Sequence, residues 1–467
     1  MTAIEQLDGR PGLTANQWKL VVTAAFGTMF ELWDQYLIAF VLAFVIRPWG
    51  LSFGITAFIL LASGIGSIFG GLVWGYVADR WGRKSTFAVT FVVFSLCSLA
   101  LAFTPEGNWI WLVVFRMLLG FGTGGFFVPI ALVQETVPAA LRGRAIGIVS
   151  ATTSAGLLLG ALCGAFVVPA IGWRLTFVVG ALPAFYAALV WFTIAESPRW
   201  AALNGKVELA RKSLAWVLGR PVTDVDLQRL TAGVQAPPSY RELLRYPRSI
   251  VTGVVVNLAH VTGYYGLVLW SPTLIAQVQG VGPAAAAQIM IGFTGCGIVA
   301  RLIMSVLSDR FGRKVTGGTG TLLAAAFLLV AGFTAQGQLL PAGFFWLPLL
   351  IGFIGADSSQ MVLGLYTSEI WPSKVRGVGS GLCFAASGVG KITGPLGLGL
   401  IAGSANIILP QATRNAAIPA FAYLAFWFAI VSAAFFFLGI ETRGRTLEQI
   451  EAQLDGAAPA TRIAAAK

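Results

Sequence analysis

Twelve long apolar runs, each closed by a short polar or charged break, occupy most of the 467-residue chain. Each is about 20 residues or longer, the length an α-helix needs to cross a hydrocarbon layer roughly 30 Å thick; membrane β-strands are about half as long and alternate. The runs predict helices at about Trp18–Ile46, Phe53–Ala78, Thr86–Phe103, Trp109–Gln134, Gly143–Val168 and Leu175–Ala195 (helices 1 to 6). A second series lies at about Ile250–Gln277, Ala284–Leu307, Thr316–Ala335, Ala342–Thr367, Val378–Ala402 and Ile418–Gly439 (helices 7 to 12). The expected division is a polar N-terminal segment (1–17), a six-helix half (18–195), a linker (196–249), a second six-helix half (250–440) and a polar tail (441–467). Pro221, Pro237, Pro238 and Pro247 punctuate the linker, within which Glu208 to Leu218 has the pattern of a short surface helix.

The two halves repeat each other. Asp79-Arg80-Trp81-Gly82-Arg83-Lys84 follows helix 2, and Asp309-Arg310-Phe311-Gly312-Arg313-Lys314 follows helix 8. Glu135, Pro138 and Arg142 follow helix 4 at the spacing at which Glu369, Pro372 and Arg376 follow helix 10. Helices 6 and 12 end in Glu196-Ser197-Pro198-Arg199 and Glu441-Thr442-Arg443-Gly444. The pattern defines an all-α membrane protein of two pseudo-symmetric six-helix halves in parallel repeat, an arrangement expected of transporters that hold a solute between the halves. The repeated charges form a candidate cytoplasmic gate: ion pairs that latch helix ends in one state and break in the other, with Asp79 bonded by Arg83 or Arg142.

Composition agrees. The chain is 57% hydrophobic and 11% charged, against about 25% charged in soluble domains. Its net charge of +12 comes from basic residues concentrated in the connections along one side, with only Arg47, Arg174 and Arg414 near the other. That asymmetry marks the basic side as cytoplasmic and makes a nucleic-acid partner unnecessary. It places both termini in the cytoplasm and the protein in the inner, or plasma, membrane. Cys97, Cys163, Cys296 and Cys383 each stand alone in an apolar run, without metal or redox spacing. Gly120-x-Gly122-x2-Gly125 has dinucleotide-fingerprint spacing, but it lies inside an apolar helix with no preceding strand and reads as close helix packing, as does Gly66-x3-Gly70. No metal cluster, nucleophile constellation or phosphate loop is visible, so the sequence predicts no enzyme and no cofactor beyond a coupling proton.

Few charges fall in the apolar runs, and each costs about 2.5 to 3.5 kcal/mol on insertion scales unless partnered or wetted. Asp34 lies near the middle of helix 1 and Arg116 about two turns into helix 4, at similar depth, with Glu31 one turn from Asp34 on the same face. A carboxylate facing a guanidinium stays ionised, and takes a proton more readily when that partner withdraws. Asp357 in helix 10 and Lys391 in helix 11 are also expected to share a depth, either as a structural pair or with Lys391 open to a carboxylate solute. His260, the sole histidine, reads as a packing residue or a proton relay, and Asn257, Tyr264, Tyr265, Trp270, Trp33 and Tyr36 are candidates for a cavity wall around it. Arg301 can reach towards water at the inner end of helix 8.

Six of these segments carry a family resemblance. GYVADRWGRK and VLSDRFGRK resemble the signature loops of the major facilitator superfamily, in its sugar-porter-like branch; RMLLGFGTGGF, GWRLTF, ESPRW and ETRGRTLEQIE resemble its motifs at helices 4, 6 and 12. Sugar porters carry a Gln-Gln pair early in helix 7, where this chain has Asn257-Leu258-Ala259-His260. NLAHVTGYYGLVLWSPTLI and the Glu31-x2-Asp34 pair look more like the organic-acid and aromatic-acid proton symporters. The resemblance implies a monomeric secondary transporter that rocks one half against the other, and it places Asp34 and Arg116 at the family's proton-coupling pair. The expectation is proton symport of a small organic anion, a monocarboxylate or aromatic acid. Symport of a sugar or other neutral metabolite, drug or metabolite antiport, and a sensor that binds without transport remain as alternatives. Gly390-x3-Gly394-Pro395 in helix 11 resembles the antiporter motif in the opposite half, and helix 5 has no proline before Pro169.

Overall fold

The computed structural model describes residues 12–125, 127–222, 240–372 and 375–442. Among them there is no strand, only an isolated antiparallel bridge between Ser52 and Ile407. By length and composition eleven helical stretches among the described residues can cross a membrane. One of them, Arg144–Thr193, has 50 residues, about 75 Å of helix, enough to cross twice. It breaks at Gly172, whose φ of +82° lies where glycine is favoured. We label the spans α1 (Ala15–Trp49), α2 (Phe53–Trp81), α3 (Arg83–Ala102), α4 (Trp109–Thr136), α5 (144–171) and α6 (173–193). The second series is α7 (Pro247–Gln279), α8 (Pro283–Phe311), α9 (Arg313–Ala335), α10 (Trp346–Glu369), α11 (Arg376–Ile401) and α12 (Pro410–Leu438). A short helix at Val207–Leu218 matches the surface helix expected in the linker.

The chain folds as two compact units. The first comprises Met1–Gln235, Val268–Thr294 and Gly403–Leu409. In it α2 and α4 approach through small residues: a Cβ added at Gly66 or Gly70 would run into the main chain at Met117 or Phe121, and one at Gly120 into that of Ser63. Such contacts replace the hydrophobic drive that helices lack in lipid. Gly156 of α5 meets α1 in the same way: a Cβ added there would lie 2.7 Å from the Met29 carbonyl oxygen. Phe87, Phe91, Phe94 and Phe177 fill the fully buried interior. At one end of the unit the start of α2 is bonded to the 403–409 segment, Phe53 N to Asn406 O at 2.9 Å and Gly54 N to Ser404 O at 3.0 Å, and Phe53 stacks on Trp270.

The second unit comprises Ala236–Leu267, Gly295–Ala402 and Pro410–Lys467. Here α9 packs on α10 through Gly355, where an added Cβ would lie 2.7 Å from the Gly320 carbonyl oxygen. On α11, a Cβ added at Gly390 would lie 2.9 Å from Leu258 O, and one at Gly394 would run into Thr262 O of α7, the counterpart of the α5 to α1 contact. Tyr366, Trp371, Val431 and Phe435 form its buried core at the end that carries the second charged turn.

Candidate functional site

In the first unit Asp34 is fully buried. Ser98 of α3 donates to its Oδ1 at 2.8 Å, and Oδ2 has no hydrogen-bond partner among the described residues. Arg116, also fully buried, does not grip that carboxylate as the sequence suggests. Its guanidinium donates to the main-chain oxygens of Asp34 (3.2 Å) and Gln35 (3.1 Å) and to Ser63 Oγ of α2 (3.0 Å). Four helices thus meet at one point, with the cation anchored to backbone and the acid held by a hydroxyl. A proton can therefore arrive at Oδ2 without breaking the guanidinium's bonds. Gly180 of α6 completes the enclosure, since a methyl there would lie 3.0 Å from Asp34 Oδ1 and 2.6 Å from Ser98 Oγ. Glu31 is buried one turn away, as are Trp33 and Tyr36, and Trp33 packs on Phe30.

The second unit holds a second buried charge cluster, and it corrects a sequence expectation. Asp357 pairs with Arg301 of α8, not with Lys391: Nε and Nη2 donate to Oδ2 and Oδ1 at 2.8 and 2.6 Å, a two-pronged carboxylate contact. The physical reason is Gly297, one turn before Arg301. Its missing side chain leaves room for Asp357 Oδ2, which would lie 2.7 Å from a Cβ there. Tyr264 of α7 donates to Asp357 Oδ1 at 2.6 Å. His260, a turn earlier, is stacked on Tyr264 and meets Ser359 Oγ of α10 at 3.0 Å. The Lys391 ammonium lies 5.4 Å from the centre of the Tyr265 ring, which packs edge-on against Tyr264. Asn257 ties helices together, through Thr367 (3.0 Å) and Ser387 (3.3 Å). Trp270 is buried against Phe53 in the first unit.

The two charged turns are built alike. Gly82 and Gly312 both have φ near +100° (109° and 96°), and a side chain at either would collide with a carboxylate, Glu196 or Glu441. Glu196 accepts from the Arg83 and Lys84 amides at the start of α3 (2.8 and 3.0 Å), and Glu441 accepts from those of Arg313 and Lys314 at the start of α9 (2.9 and 3.2 Å). An anion on the open N–H groups of a helix start is favourable. Arg83 pairs with Asp79 (2.6 Å) and Glu135 (3.5 Å), and Arg313 with Asp309 (2.6 Å) and Glu369 (3.3 Å). Ser197 and Thr442 donate to Glu135 and Glu369. Arg80 turns to Tyr76 and Arg310 to the Phe311 ring, and Arg199 is exposed. The side chains of Arg142 and Arg376, and all of Arg443, lie outside the described residues.

Sequence reasoning missed Ser63, Ser98 and Gly180 around Asp34, and Ser359 beside His260. Serine in an apolar run is common, and nothing in its spacing marks these. Arg301, which the sequence marks as one of the few charges within the apolar runs and suggests can reach towards water, turns instead to Asp357.

Buried acids and guanidiniums on several spanning helices, with charged turns built alike at helix ends, belong to an integral, multi-pass membrane transporter, not an enzyme. The family model described as "Major Facilitator Superfamily" matches residues 24–395, and the chain belongs to that family. It is 30% identical to the niacin transporter NiaP of Acinetobacter baylyi over 93% of this chain and 96% of that protein. It is 24% identical to the synaptic vesicle 2-related protein of Pongo abelii over 93% and 80%. The inward open xylose transporter XylE from E. coli shares the fold, with a TM-score of 0.74 at 20% identity over 94% and 99% of the chains.

Proposed function

We propose that the protein is a proton-coupled symporter for a small organic anion, an aromatic monocarboxylate of the niacin class, in the inner membrane. The observation that carries the coupling is the fully buried Asp34, whose neighbouring guanidinium is held by main chain instead of by the carboxylate. Protonation removes the acid's charge, and with it the attraction to Arg116 and the charge assistance of the Ser98 bond, while the guanidinium's main-chain bonds stay in place. Such a neutralisation biases two states of the transporter, which exchange by rocking of the repeats. The solute class is supported by the similarity to a niacin transporter along almost the whole chain, niacin in its acid form being a pyridine carboxylate. In this reading the basic turns face the cytoplasm, where positive loops are retained.

Reconstituted in proteoliposomes, the protein should accumulate nicotinate under an inward proton gradient. Asp34→Asn should abolish that accumulation but leave exchange of labelled for unlabelled nicotinate across the membrane. Undiminished uphill uptake by the variant sinks the assignment of the proton to Asp34; no movement of nicotinate or benzoate by the parent sinks the solute class.

A further inference from the structure

We propose that the connection Gly403–Leu409 is a releasable clasp at the end of the first unit opposite its charged turn, and that letting go of its main-chain bonds to the start of α2 is the step that opens this side to solute. The inference goes beyond the coupling and the solute class above, and rests only on transport by alternation between two states.

The clasp and the helices that it serves lie in different units. Gly403–Leu409 and the start of α2 both belong to the first unit. The helices that the connection joins belong to the second: α11 ends at Ile401 and α12 begins at Pro410. Part of this short connection is spent in a turn, Asn406 N to Gly403 O at 2.9 Å, with Gly403 at a φ of +86°. Little slack is left, so movement of α11 and α12 pulls directly on the bonds that the connection makes.

Those bonds are of a kind that can be broken and remade. The first amides of a helix have no acceptor within it, and at α2 the clasp supplies two. Phe53 N donates to Asn406 O at 2.9 Å and Gly54 N to Ser404 O at 3.0 Å, while Ile55 N is left to Ser52 Oγ at 3.3 Å. Ile408 N returns a bond to Leu51 O at 3.1 Å, which makes Ser52 and Ile407 an antiparallel pair. Ser404 and Asn406 are exposed, so water takes over as the bonds part, and a hydrogen bond exchanged for one to water changes the free energy little. Beneath them the contact is dry. Leu51, Phe53, Trp270 and Ile408 are buried, and the Phe53 and Trp270 rings stack with centres 5.8 Å apart.

Gly54 shows that α2 is shaped for the clasp. It does not have the left-handed φ that calls for glycine, and a helix is better served by almost any other residue. A Cβ there, however, would lie 2.7 Å from the Ser404 carbonyl oxygen and 3.0 Å from the Ser404 Cβ. The position is small for the sake of the segment that lies on it.

The test closes the clasp covalently in the full-length protein with Ser52→Cys/Ile407→Cys. The bonds on either side of this pair are made by its neighbours, and residues so placed have Cα atoms about 4.5 Å apart, inside the roughly 4.4 to 6.8 Å that a disulfide bridges. In proteoliposomes, oxidation of the double variant should reduce exchange of labelled for unlabelled nicotinate to the level of protein-free vesicles, and a reductant should restore it. The parent and each single-cysteine variant should keep exchanging under the oxidant. A second variant needs no solute: Gly54→Ala should speed amide hydrogen exchange several-fold in 51–56 and in 403–409 together, because one opening exposes both. Undiminished nicotinate exchange by the disulfide-closed protein, thiols that stay free under the oxidant, or parental hydrogen exchange in Gly54→Ala overturns the clasp. A parent that moves no nicotinate sinks the solute class alone, and the hydrogen-exchange comparison then decides the clasp.

Discussion

Gly180 faces Asp34 at a distance that leaves no room for a methyl group: a Cβ there would lie 3.0 Å from Oδ1, and 2.6 Å from the Ser98 oxygen that bonds it. The glycine on α6 thus sets the position of a carboxylate on α1 through a serine on α3. Gly180→Ala should push Ser98 off the acid and lower stability by about 1 to 3 kcal/mol, the range for overpacking a tight interior. A melting curve together with the pH dependence of nicotinate uptake checks this. An alanine variant with parental melting and parental pH profile would show that Asp34 does not need that hydroxyl.

The charged turns make an ordering prediction. Asp79 is three-quarters exposed and bonds Arg83 one turn away on its own helix, a contact worth a few tenths of a kcal/mol. Glu196 is buried and receives the amides of Arg83, Lys84 and Ser197. Hydrogen bonds to a charged group contribute about 1.5 to 3 kcal/mol. Glu196→Gln should therefore lower the melting temperature clearly and Asp79→Asn barely, and Glu441→Gln should match Glu196→Gln at the second turn. Cysteine labelling near the turns, measured in the same variants, should rise in that order. Equal effects of Asp79→Asn and Glu196→Gln would mean that the exposed pair, not the buried cap, holds the turn.

Much of this was legible because the repeat is written in the chain twice. Asp79 with Arg83 and Glu135, and Asp309 with Arg313 and Glu369, occupy matching positions in sequence and in space. Counting residues from helix ends also puts Asp34 and Arg116 at one depth. What counting cannot give is azimuth. The same count gives Asp357 and Lys391 similar depth, yet Asp357 turns to Arg301 because Gly297 opens that face of α8. Likewise Arg116 points beside Asp34 and finds carbonyl oxygens, which no side-chain motif records.

Between the spans, Glu106 offers a pH test free of the membrane. It accepts from Arg174 Nη2 at 2.8 Å and Trp49 Nε1 at 2.9 Å, and these bonds, Arg174 foremost, hold its carboxyl below the ordinary glutamate value. A depressed value stabilises the fold above the unfolded glutamate's pKa, and that contribution is lost as pH falls through the folded value. Glu106→Gln should thus melt slightly below the parent at neutral pH and converge with it in acid. A difference between the two proteins that persists or grows as pH falls would mean that shape, not charge, makes the contact.

Two glycines on one helix separate packing from propensity. On α11, a Cβ added at Gly394 would run into the Thr262 carbonyl and lie 2.8 Å from the Gly266 amide of α7, whereas a Cβ at Gly381 meets nothing within 4 Å. Alanine at Gly381 should be neutral or stabilising, by up to about 1 kcal/mol, because glycine is the poorer helix former. Alanine at Gly394 must instead move backbone away from backbone, so the same substitution 13 positions on should destabilise by about 1 to 3 kcal/mol and loosen α11 from α7. Lys391 rides on that helix one turn earlier, over Tyr265. The Gly394→Ala variant should for that reason also weaken acid binding, while Gly381→Ala leaves it intact. Melting temperatures and nicotinate affinities of the two variants decide the point. If Gly394→Ala is as stable as Gly381→Ala, the α7 to α11 seam is loose enough to absorb a methyl, and close helix contact there is not what positions the lysine.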